Sequence, residues 1–200
     1  MDFNCWQLDT CKDMNCNSCV WYKHIMYLCK QSMIPENRLF TPKLKTLDTN
    51  DYSEYVNVKS NIVDFVNSGR NLDIRVKAGI NEPIEYGIKL MLNYFSQISY
   101  TCEYGTYGLF INVPSYIDKL KDNITLCDEN IINLKQSIDE VPLVVFNNML
   151  VNSEFEKTIM LRHCSNRIDN KLSTIFVRTS GNANSNGIVD LFNNIQIITL

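Results

Sequence analysis

The chain has 200 residues, of which 45% are apolar and 20% charged, enough for one sizeable core plus a small appendage and too apolar for intrinsic disorder. A net charge of −3 and a pI near 5.4 exclude a global pull toward nucleic acid or anionic lipid, so any DNA contact is expected to be weak, local or delivered by a partner. No apolar run approaches the roughly 20 residues of a membrane helix, and the start MDFNCWQLDTCKD lacks the pattern of a secretory signal, so no membrane association and a cytoplasmic location are expected.

Residues 1–32 read as a cysteine-rich module. Cys5, Cys11, Cys16 and Cys19 have the spacing C-x5-C-x4-C-x2-C. Four thiolates close a tetrahedral structural zinc site and leave no open position for water, and a segment this short needs metal to fold. His24 or Cys29 could replace one of these ligands, while Cys29, Cys102, Cys127 and Cys164 otherwise read as buried thiols. The module ends in a helical segment, CVWYKHIMYLCKQS, and residues 33–50 then form a polar linker with two prolines.

Residues 51–200 alternate helices with short apolar runs. A helix is predicted over 53–68, with Tyr55, Val58, Ile62, Phe65 and Val66 on one face and Gly69 past its end. A strand over 71–76, a loop over 77–84 and a helix over 84–98 follow. Then come a strand at GLFINV, helices at PSYIDKLKDN and ENIINLKQSI, a strand at PLVVFN, a helix over 153–169, a strand at STIFVR and a final apolar run, IQIITL. Continuous apolar strands separated by helices predict an α/β fold of three layers around a mostly parallel sheet.

The segment from Asn71 to Ile98 has the strand, loop and helix frame on which a phosphate-binding loop sits, without the loop's glycines and lysine. With CNSCVWYKHIMYLCKQSMIP before it, and GLFINVPSYIDKLK, PLVVFNNM and STIFVRTSGN after it in order, nearly the whole chain resembles the AAA+ replicative helicase loaders of the DnaC/DnaI type, particularly phage and prophage versions. The resemblance implies a P-loop NTPase-like AAA+ domain behind the zinc module.

Anchoring that resemblance on Gly87, Ile88 and Lys89 places Glu82 at the last loop glycine, Pro83 at the phosphate-binding lysine and Ile84 at the magnesium-binding threonine. Proline removes an amide donor and the ammonium, glutamate opposes phosphate, and isoleucine offers Mg²⁺ no oxygen. Asn147 and Asn148 stand where the loaders carry an acidic pair, Thr179 where a polar sensor is expected, and Asp190 and Asn194 where the finger arginines are expected. Lys77 and Lys89 read as ordinary solvated lysines. The resemblance thus implies a pseudo-ATPase with no catalytic residue and no ATP or Mg²⁺, an accessory DNA-replication protein of phage or mobile-element origin. Its expected partner is a replicative helicase or an active AAA+ helicase loader, with self-association as a further option. Two other readings are a zinc-dependent single-stranded nucleic-acid binder, using KHIMYLCK, RLFTPKLK, Trp6, Trp21 and Tyr22, and an ATPase with an unconventional site.

Overall fold

The computed structural model describes residues 19–38, 44, 47, 49–77, 79, 81–98, 107–123, 128–181 and 186–200. Five strands, β1 (Asn71–Val76), β2 (Gly108–Asn112), β3 (Leu143–Asn147), β4 (Ser173–Thr179) and β5 (Ile195–Thr199), form one sheet in the order β2-β3-β4-β1-β5. Every pairing is parallel. Parallel strands need crossovers, and the helices that supply them cover both faces.

Alternation along the strands divides the core. Leu143, Val145, Ile175 and Val177 point to the face packed by α1 (Val20–Gln31), α2 (Asn50–Ser60), α3 (Ile62–Asn67) and α4 (Pro83–Ile98). Val144, Phe146 and Phe176 point to the face packed by α5 (Val113–Asp122), α6 (Glu129–Glu140), α7 (Glu154–Asp169) and α8 (Asn186–Val189). Strands buried on both sides have no polar alternation, which is why they read as continuous apolar runs.

The helix predicted over 53–68 is two helices. Asn61 turns its side chain back onto the Asn57 carbonyl at 3.0 Å and the Asn57 Oδ1 at 2.9 Å, and it serves as C-cap of α2 and as N-cap of α3. A short amide side chain competes with the main-chain ladder, and here it breaks the helix. Elsewhere the starts follow capping chemistry: Thr49 caps α2, Asn112 caps α5, Asp128 caps α6 and Ser153 caps α7.

The cysteine-rich segment's helix joins the main core. Ile25, Leu28 and Cys29 of α1 and Ile34 beyond it are buried in the cluster that contains Leu72, Ile74 and Phe95. Each large apolar side chain so buried contributes about 1.5 to 3 kcal/mol, so α1 is fixed to the sheet by its own packing. Burial also pushes the Cys29 and Cys164 thiols up to about 12, which keeps both as inert apolar thiols, as the sequence implies. Among the described residues no helix is long and apolar enough to cross a membrane.

Candidate functional site

Parallel strands align their carboxyl ends, and the crevice outside them is where α/β sheets bind ligands. Register places Asn112 opposite Asn147, Asn147 opposite Val177, and Thr179 opposite Val76. One edge therefore carries Asn147 and Asn148 at the end of β3, Thr179 at the end of β4, and the loop from Lys77 that follows β1. Asn147 is 5% exposed and shares the face of Val145, toward α4. Asn148 is exposed with φ 56°, a left-handed conformation that asparagine tolerates, and its N–H donates to the Val177 carbonyl at 3.0 Å.

The loop closes directly onto α4. Pro83 is the first helical residue, where its missing N–H costs nothing and its fixed φ suits the helix. Glu82, immediately before it, is exposed and accepts from Arg38 Nη1 at 2.7 Å. Ile84 lies in the first turn and lines a small cleft with Phe110, Met33 and Pro35. One turn further on, Gly87 is pressed against the sheet: a Cβ there would stand 3.0 Å from Val145, 3.1 Å from Val177 and 3.2 Å from Phe110. The glycine sets how closely α4 lies on the strands.

Tyrosines brace the same end of α4. Asn81 donates to the Tyr86 hydroxyl at 2.8 Å, and the Tyr55 hydroxyl donates to the Tyr86 carbonyl at 3.2 Å. The Tyr55 and Tyr86 rings meet edge to face at 5.1 Å. Burial, mainly, raises both phenols above their ordinary range, so both stay neutral.

Of the other sequence-derived positions, Asp190 and Asn194 are exposed in the turns flanking Phe192, away from this edge, and Lys89 sits in the second turn of α4. Cys5, Cys11 and Cys16 lie outside the described residues. Cys19 is the N-cap of α1, where its Sγ accepts the Tyr22 N–H at 3.3 Å. His24 Nε2 is buried and has no hydrogen-bond partner among the described residues. Among the described residues no group of three or more His, Cys, Asp or Glu side chains is placed to hold a metal ion.

Sequence reasoning missed the buried polar elements. The Tyr116 hydroxyl and His163 Nε2 are 2.7 Å apart, and His163 Nδ1 lies 2.6 Å from Asp139, a chain that joins α5, α7 and α6. Burial outweighs Asp139 and lowers the His163 pKa. Nδ1–H then donates to Asp139 and Nε2 accepts from Tyr116. The only sequence signal was a histidine in a helix with an otherwise weak apolar stripe.

No protein-family model matches the chain, and no curated protein sequence does. Solved structures do match in fold. The DnaC helicase loader superposes with a TM-score of 0.58 at 11% identity, covering 79% of this chain and 94% of that one. DnaI gives 0.58 at 14% identity, covering 84% and 94%. The replication initiator DnaA, bound to AMPPCP and single-stranded DNA, gives 0.57 at 11% identity, covering 80% and 50%. The all-parallel five-stranded sheet, with its loop between β1 and α4, therefore shares its fold with these helicase loader structures.

Proposed function

We propose that this chain is a non-catalytic, loader-like accessory protein of DNA replication, of phage or mobile-element origin, that binds a replicative helicase or an active AAA+ loader without turning over ATP. The observation that carries this reading is the edge where an AAA+ fold would hold phosphates. Glu82 is ion-paired to Arg38, Pro83 opens α4, Ile84 faces an apolar cleft, and Asn147 replaces a carboxylate. Each lost charge-assisted phosphate contact costs on the order of 1.5 to 3 kcal/mol, so three losses weaken a site of about 1 μM to about 2 mM or worse. The surfaces of the fold remain for protein contacts.

A structural zinc at Cys5, Cys11, Cys16 and Cys19, with His24 as an alternative ligand, belongs to the same proposal. It is supported by the Tyr22 N–H hydrogen bond to the Cys19 sulfur and by His24 Nε2, which is buried without a hydrogen-bond partner among the described residues.

Calorimetry of the full chain with Mg-ATP tests the non-catalytic part, with no heat of binding expected up to millimolar nucleotide. A micromolar dissociation constant would favour the ATPase reading instead. Pull-down from a host extract is expected to retain a replicative helicase or a loader. The nucleic-acid reading draws on α1, which exposes Val20, Lys23, Tyr27 and Lys30 and contains no acidic residue. Salt-dependent binding of single-stranded DNA by the purified chain would favour it.

A further inference from the structure

We propose that residues Ser32–Arg38 form a strap whose seating is coupled to the start of α4 through the Arg38–Glu82 ion pair, so that this pair tunes how well the strap covers the free edge of β2. The inference goes beyond the accessory role and does not depend on it.

The strap begins where α1 ends in a left-handed turn. Met33 N–H donates to the Lys30 carbonyl and Ile34 N–H to the Cys29 carbonyl, a closure that normally places glycine at the left-handed position. Met33 takes it instead, with φ 62°. A non-glycine residue in that region is strained and persists because its surroundings impose it.

Three contacts impose it. The Ser32 carbonyl accepts the Phe110 N–H at 2.8 Å, satisfying a donor on the free side of the edge strand β2. Ile34, 4% exposed, anchors in the core. At the far end Arg38, in a single 3-10 turn over Glu36–Arg38, reaches Glu82 beside the first residue of α4. Between these anchors Met33 and Pro35 line one side of a cleft of about 100 Å³ that Ile84, Phe110, Tyr116 and Leu134 also line. The middle of the strap thus borders a cleft and is strained at Met33, and among the described residues its far end is held by one exposed ion pair. Such an element opens locally with little disturbance of the core. Drawing Glu82 or Arg38 away makes opening of the strap, and with it exposure of the β2 edge, more frequent, while α1 stays packed on the sheet.

Amide hydrogen exchange of the full chain tests this, read at Phe110 and, as an internal reference, at Val144 in the sheet interior. Glu82→Gln and Arg38→Gln are each expected to speed Phe110 exchange by about 1.5- to 5-fold, the range set by an exposed ion pair, and to leave Val144 unchanged. The swap Arg38→Glu with Glu82→Arg is expected to restore the original rate. Unchanged Phe110 exchange in both single variants would overturn the coupling. So would an equal acceleration at Val144, which reports global destabilisation, or a swap that fails to restore protection.

Discussion

Arg178 on β4 grips Asp73 on β1 with two parallel bonds, Nε to Oδ1 at 2.9 Å and Nη2 to Oδ2 at 2.7 Å, and both side chains are within 2% of complete burial. Arg75, one pleat further along β1, adds Nε to Oδ2 at 2.7 Å. The carboxylate lies under two guanidinium groups on the sheet face opposite Leu72 and Ile74. Removing the anion strands a buried cation, a loss that typically costs about 3 to 5 kcal/mol, whereas replacing a buried pair with apolar groups is often neutral. Asp73→Ala is therefore expected to lower stability by about that amount in urea unfolding, and Asp73→Leu with Arg178→Met to recover most of it.

Arg167 is fully buried on α7 with no carboxylate among its bonded partners. Its guanidinium donates to the carbonyls of Ile138, Val141 and Ser173 and to the Thr174 hydroxyl. Burial lowers its pKa to about 10, still charged at neutral pH. The carbonyls at the end of α6 carry the negative end of the helix dipole, which offsets part of the desolvation cost. Arg167→Met should leave at least three buried acceptors unpaired and lower stability by about 3 kcal/mol or more, a fall in melting midpoint of roughly 6 to 12 °C for a chain of this size. A smaller shift than that of an exposed control such as Lys135→Met would contradict the assignment.

Gly69 and Lys171 end α3 and α7 back to back, both left-handed, with φ 61° and 54°. A Cβ on Gly69 would lie 2.5 Å from the Lys171 carbonyl oxygen, so Gly69→Ala is expected to be strongly destabilising. Lys171→Gly should act in the opposite direction. It relieves a left-handed penalty of about 1 to 2 kcal/mol and adds about 0.4 to 1 kcal/mol of unfolded-chain freedom, for a net gain of roughly 0.5 to 1 kcal/mol. Thermal unfolding of the two variants is expected to shift with opposite signs.

His163 makes stability depend on pH near neutrality. Its folded pKa is lowered, chiefly by burial, so the unfolded chain binds the proton more readily. Its contribution is complete above the unfolded value of about 6.5 and is lost as pH falls through the folded value. Glu156, whose pKa is lowered first by its bond to Lys121, acts in a separate window below about 4.5. The urea midpoint is expected to fall between pH 7 and pH 5, and His163→Gln to flatten that segment only. A wild-type profile flat over this range would contradict it.

Zinc should be present at about one equivalent per chain, as read by elemental analysis of protein purified without chelator. Cys16→Ser is expected to lower the metal content and to speed proteolysis ahead of α1, while Cys29→Ala, which alters a core thiol, should leave the metal in place. A metal-free wild-type chain would refute the site.

The sequence by itself determined most of the elements and which residues stand at the carboxyl edge of the sheet. The apolar run Leu143–Asn147 and the alternating segment Leu72–Val76 are strands because local periodicity and turn residues carry that information, and Glu82, Pro83, Ile84 and Asn147 are identifiable from their place in the strand-loop-helix order. Tertiary structure alone decided the strand order, the joining of α1 to the main core, and the burial of Asp73, Arg167, Arg178 and His163. Those outcomes depend on partners far along the chain, 105 residues away in the case of Asp73 and Arg178. A charged residue in a strand or helix pattern looks the same on paper whether it faces water or a buried counter-charge, because only packing fixes the solvent and partners that set its energy.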